Sequence, residues 1–147
     1  MRSEIIRAAR DWLGTPYVHQ GRLKHVGVDC AGVVIGVAKE LGLATITEEQ
    51  HKRMSRYNPV PKPAMMQRVL SQHLDPVAPG QQKPGDVAWM AWRNGRATHV
   101  GILTDFCDKS VTLVHVDAFT RYVVERRTPS LGIPKVVAYY KFRGVGG

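Results

Sequence analysis

Helices first and an antiparallel sheet second, an α+β arrangement, is what this sequence predicts, and three observations predict it. Apolar residues recur at helical spacing in three stretches before residue 75. From Pro84 onward the pattern changes to runs of β-formers, and Asn94-Gly95, the strongest short hairpin signal, lies between two of them. The 147 residues, 44% of them hydrophobic, read as one domain spanning 1–147, long enough to bury a core without disulfides or a metal.

The first helix is expected over residues 3–13, with Ser3 as cap, Ile5, Ile6, Ala9, Trp12 and Leu13 as apolar stripe, and Gly14 as stop. A turn-forming stretch, Thr15 to Gly21, follows; its Pro16 and Gly21 fix the course of the chain, and Tyr17 and Gln20 give it polar tips directed at whatever lies near Cys30. Asp29 caps the second helix, in which Val33, Val34, Val37 and Leu41 recur until Gly42 ends it. Residues 45–63, polar, basic and broken by Pro59, Pro61 and Pro63, read as a surface-loop insertion of the length used for a lid or substrate wall. A third helix over 64–74 is expected to stop before Pro76 and Pro79. Strands follow at 86–93, 96–104, 111–117, 121–126 and 135–142, with 105–109 as a five-residue hairpin loop. No internal repeat or low-complexity segment is present.

A formal charge of +9 favours an anionic partner or environment. The basic residues are scattered, without the basic helix or aromatic interleaving of nucleic-acid modules, so nucleic acid is not the expected partner. No apolar run approaches a membrane span, and Met1 to Arg7 lacks the hydrophobic core of a signal peptide, so the chain is expected to be made in the cytoplasm.

Chemistry concentrates at Gly27-Val28-Asp29-Cys30-Ala31-Gly32. Cys30 falls at the first helical position, where the partial positive charge of the helix end favours thiolate over thiol and lowers the pKa of the sulfur. The competing reading is a small buried core cysteine; a bridge to Cys107 is another, though two cysteines are too few for a disulfide framework. A reactive cysteine needs a histidine. With 105–109 as the loop, His99 lies directly opposite His115 on one face, Asn94-Gly95 puts Met90 opposite His99 on the other side, and Gly101 clears space beside it. If the cysteine helix covers that face, Cys30 meets His99 with His115 behind it, a nucleophile, a base and an orienter. His19, His25, His51 and His73 have no such geometry. One Cys and two His also suit a zinc site, but without the close sequence pairs of zinc motifs.

Gly14-Thr15-Pro16-Tyr17, Asp29-Cys30-Ala31-Gly32, Pro84-Gly85-Asp86 and His99-Val100-Gly101-Ile102, followed by a later strand histidine, resemble in that order the NlpC-type (NlpC/p60) papain-like cysteine peptidases of the bacterial cell wall. The resemblance runs from about Ile5 to about Val116, and its specific parts are the Asp-Cys-x-Gly and His-Val-Gly-Ile blocks. It implies a papain-like fold, Cys30 as nucleophile, His99 as general base and His115 as the polar third member. Tyr17 would help polarise the scissile carbonyl beside the Cys30 backbone N–H, with Asp29 and Gln20 at the same substrate-binding edge; no cofactor or metal is implied. It further implies a peptidoglycan stem peptide as substrate, cut between D-glutamate and the diamino acid, at the cell wall or in the periplasm. The compact form and the insertion look most like the branch encoded with phage tails, with tail proteins as partners. The segment from His19 to His25 is bulkier and more basic than the glycine-rich segment usual in the family. Two other classes stay open: a non-catalytic tail or wall-binding component, and an amidase or acyltransferase on the same scaffold.

Overall fold

The computed structural model describes residues 1–43, 62–107, 110–128 and 135–146. Three helices, α1 (Arg2–Arg10), α2 (Cys30–Glu40) and α3 (Pro63–His73), precede a six-stranded sheet built from β3 (Leu74–Val77), β4 (Val87–Ala91), β5 (His99–Cys107), β6 (Ser110–His115), β7 (Val124–Thr128) and β8 (Lys135–Phe142). The strand order is β3-β8-β4-β5-β6-β7, every neighbouring pair antiparallel. A two-stranded ribbon, β1 (Arg22–Leu23) and β2 (Gly27–Val28), lies in the segment before α2. The α+β expectation therefore holds. The 45–63 insertion falls on residues outside those described, apart from its last two positions.

Sequence chemistry accounts for the helix ends. Asp29 has extended backbone angles and its carboxylate accepts the Gly32 N–H at 2.8 Å, which starts α2 at Cys30; Gly42 at φ +65° takes the left-handed position after its end. Pro63 opens α3, where its missing N–H costs nothing. The expected Ser3 cap is not found: α1 begins one residue earlier, capped by Met1 without a side-chain bond, and ends at Arg10. Trp12 nevertheless stays buried in a turn after α1, while Leu13 is exposed. Gly36 of α2 makes room for Trp12, whose ring a Cβ there would overlap.

The sheet separates two apolar clusters. On one face Val87, Trp89, Val100, Ile102 and Val114 pack with Ile5, Ala9 and Trp12 and with Val33, Val34 and Val37 of α2. On the other, Ala88, Met90, Leu103 and Leu113 form a smaller cluster roofed by Trp92, Val136 and Tyr139. Strand β3, absent from the sequence reading, pairs with β8 at the sheet edge, where Pro76 is tolerated. Asp86, fully buried, anchors α1 to the sheet: Arg2 Nη1 donates to its Oδ1 at 2.7 Å and the Lys83 N–H to its Oδ2 at 2.8 Å.

The register of β5 and β6 differs from expectation. Cys107 pairs with Ser110, so the connection is two residues rather than five, and Thr104 is an extra residue on β5 between the pairs Leu103↔Leu113 and Asp105↔Thr112. A two-residue turn without the bulge would set His115 opposite Ile102, on the helix-covered face. The bulge shifts the register by one and returns His115 to the face of His99 and Gly101. The histidines are thus diagonal neighbours, not directly opposed. Met90↔His99 pairs as expected.

Candidate active site

Cys30, His99 and His115 arrive at one end of the sheet from three elements: the first residue of α2, the first of β5 and the last of β6. One expectation about this end fails. The helix-covered face carries Val100 and Ile102, so the alternation of β5 turns His99 to the opposite face. Cys30 and His99 share a cleft because both stand at the ends of their elements, with the N–H of Val100, next to His99, hydrogen-bonded to the Cys30 sulfur. That cleft measures about 360 Å³, and its walls include Tyr17, His19, Asp29, Cys30, His99 and Asp117.

The two histidines are joined directly. His99 Nε2 lies 3.0 Å from His115 Nδ1, the rings meet edge to face at 5.1 Å, and both residues are buried. Gly101 permits this: a Cβ there would sit 3.1 Å from the His115 Cβ and 3.3 Å from the Met90 Cε. Trp92 packs its ring 4.8 Å from that of His99 and is itself fixed by a 3.0 Å bond from Nε1 to Thr98 Oγ1. Asp117 Oδ2 stands 3.8 Å from His115 Nδ1, too far for a hydrogen bond but close enough to favour positive charge on the pair.

Burial keeps these groups neutral. It pushes His99 well below the usual imidazole range, with the neighbouring His115 adding to the shift. His115 is lowered less, because the Asp117 carboxylate pulls upward against burial. Cys30 is a free thiol only partly exposed to the cleft, and burial, aided by the Asp29 carboxylate, pushes it up to about 12. Hydrogen bonds from the Val100 and Ala31 N–H groups and the charge of Arg22 pull the other way without winning. The lowered thiol pKa expected from the helix end is therefore not what the site has: desolvation and an adjacent carboxylate outweigh it.

Asp29 does more than cap. Its carboxylate, buried, also accepts from the Gln20 N–H at 3.1 Å and from Arg22 Nη1 at 2.6 Å, tying the whole 20–29 segment to the start of α2. Gln20, expected to reach the site with its side chain, is not among the cleft residues; its backbone N–H holds Asp29 instead. Tyr17 does line the cleft. Its N–H donates to the Arg121 carbonyl at 2.7 Å, and burial, with Asp29, Cys30 and Asp117 nearby, raises the phenol pKa, so the hydroxyl remains a donor.

Sequence reading passed over four residues here. His19, set aside as bland, lines the cleft, and Arg22 holds Asp29. Asp117 was legible in principle, since it follows His115 by two and so shares its face in an extended chain. Trp92, at the end of β4, carried no signal. Among the described residues, the group whose donor atoms could converge on a metal ion is His99, His115 and Asp117, within 4.8 Å of one another; it does not include Cys30, so the Cys-His-His zinc set is not assembled.

No family model matches the sequence, and no curated protein matches it significantly. Solved structures do resemble it. The NlpC/p60 domain of peptidoglycan hydrolase SagA superposes with a TM-score of 0.63 at 18% identity, over 96% of this chain and 97% of that one. An NlpC/p60 family protein from Bacillus cereus gives 0.65 at 19% identity, over 97% of this chain and 40% of that one. An N-acetylmuramoyl-L-alanine amidase from Bacteroides uniformis gives 0.53 at 14%, over 95% and 96%. The chain has the papain-like α+β fold of the NlpC/p60 domains.

Proposed function

We propose that this protein is a cell-wall hydrolase, specifically a cysteine peptidase acting on peptidoglycan stem peptides, with Cys30 as nucleophile and His99 as general base. The observation that carries the reading is a single cleft lined by a cysteine at a capped helix start and by a buried histidine whose Nε2 lies 3.0 Å from a second histidine. The fold neighbour named as a peptidoglycan hydrolase supports the substrate class.

The geometry supports the following steps. His99 Nε2 faces His115 Nδ1, so the working tautomer carries its proton on Nε2, donates it to His115 and leaves Nδ1 free as base. A neutral thiol and a neutral imidazole are the resting forms, so proton transfer from Cys30 to His99 accompanies attack on the carbonyl. The imidazolium that results is stabilised through His115 and the Asp117 charge. The N–H of Cys30, at the open first turn of α2, and the Tyr17 hydroxyl are the oxyanion donors. His99 then protonates the leaving amine, and water, deprotonated by the same ring, hydrolyses the thioester. The bond cut is that between D-glutamate and the diamino acid, in a single domain serving a phage or prophage tail with tail proteins as partners; this finer part rests on the motif resemblance.

The test is digestion of purified sacculi by wild type and Cys30→Ala, with soluble fragments read by mass spectrometry. Peptides with new amine termini from wild type alone are expected. Equal release by the variant overturns the reading. A second class, the amidase, is favoured by the Bacteroides uniformis neighbour and is told apart by the same spectra, since it would free lactyl-linked sugars from intact peptides.

A further inference from the structure

The lip of the cleft carries a phenylalanine that nothing in the fold requires. Phe119 is 87% exposed, more than any other large hydrophobic among the described residues, and it lines the same cleft as Cys30. Its backbone is held rigidly. Asp117 Oδ1 accepts the N–H groups of Phe119 at 2.7 Å and Thr120 at 2.8 Å, and the Asp117 carbonyl accepts the Arg121 N–H at 3.0 Å. The Arg121 carbonyl in turn accepts the Tyr17 N–H at 2.7 Å. One turn therefore joins the Asp117 carboxylate beside His115, the aromatic at the lip and the tyrosine of the cleft.

An aromatic side chain offers a large apolar face and loses little rotamer freedom on contact, which suits it to grip a ligand when its backbone is already fixed. Ala118 and Val116 line the same cleft, as do Asn94, Arg96 and Asp117. A lining that mixes apolar, polar and charged residues fits a substrate side chain that is hydrocarbon along its length and polar at its tip. We propose that Phe119 is the apolar grip of this cleft: it packs on the hydrocarbon chain of the substrate residue beside the scissile bond and sets a preference for long side chains there. The inference rests on the peptidase reading for the identity of the substrate.

Binding tests it independently of turnover. The Cys30→Ala protein is titrated calorimetrically with two synthetic peptides, L-Ala-γ-D-Glu-L-Lys-D-Ala and its analogue with L-Ala in place of L-Lys. The lysine peptide is expected to bind about tenfold tighter, a difference of about 1.4 kcal/mol. Adding Phe119→Ala is expected to reduce that ratio below twofold with an unchanged melting temperature, and Phe119→Leu to restore most of it. A ratio unmoved by Phe119→Ala, or no binding of either peptide, overturns the grip. Sacculus digestion by wild type is read alongside. Digestion with a ratio indifferent to Phe119 removes the grip and leaves the peptidase; the tenfold preference without digestion removes the peptidase and leaves the grip.

Discussion

Cys30 is a case of one residue pulled in two directions. Its place at the start of α2 and the N–H groups of Ala31 and Val100 favour the thiolate; burial and Asp29 favour the thiol and prevail, holding it at about 12. Alkylation of Cys30 by iodoacetamide is therefore expected to accelerate steadily from pH 7 to pH 10 without the plateau of a preformed thiolate, as stopped assays with peptide mapping would show. Asp29→Asn keeps a capping side chain but removes the carboxylate charge, and is expected to raise the rate at pH 8 several-fold while costing stability through the loss of the Arg22 ion pair. In the proposed mechanism His115 acts through His99. His115→Ala is expected to lower kcat by about 10²-fold with KM little changed, and His115→Asn, which keeps an acceptor, to recover part of the loss; equal kcat in all three proteins would remove His115 from the machinery.

At the scale of elements, a glycine and a bulge decide how the two histidines meet. Gly101→Ala would crowd the His115 Cβ, and overpacking of that kind costs about 1–3 kcal/mol. Urea unfolding is expected to show that loss, together with a fall in turnover larger than the stability change explains, because the displaced ring is the one proposed to orient His99. Asp86 works at the other end of β4, where Asp86→Ala leaves Arg2 without its 2.7 Å partner and is expected to cost about 2 kcal/mol with kcat unchanged.

The sequence announced some of this and hid the rest for physical reasons. Asp29 and Gly42 carry their own conformational chemistry, so the ends of α2 were readable locally, as was β8 from Lys135 to Phe142. The face of His99 was not. All five residues of β4 are buried, since both faces of the sheet are covered there, and the alternation that would assign faces disappears. The bulge at Thr104 was equally invisible: loop length and bulge trade against each other, and only their sum decides which face a later residue takes. Expecting the right pair for a different register succeeded because the two registers differ by an even number of residues.

For the whole molecule, the neutral buried histidines couple the site to the stability of the fold. His99 and His115 both lie below the ordinary value of 6.5, so the unfolded chain binds protons first as pH falls, and unfolding free energy is expected to decrease from about pH 6.5 downward until the folded-state values are passed. His99→Gln, which stays neutral, is expected to flatten that slope in urea titrations between pH 7 and pH 5. An unchanged slope would place the acid sensitivity elsewhere. Among the described residues no helix is long and apolar enough to cross a membrane. The formal charge of the sequence is +9. That charge suits a carboxylate-rich polymer such as the wall peptide proposed as substrate.

The proposed mechanism passes through a thioester at Cys30, which intact-protein mass spectrometry of an acid-quenched reaction with a stem peptide would detect. An adduct of the acyl fragment's mass is expected, mapped to Cys30 by digestion and absent in Cys30→Ala. Peptide turnover that proceeds with no adduct, and undiminished in Cys30→Ala, would contradict it.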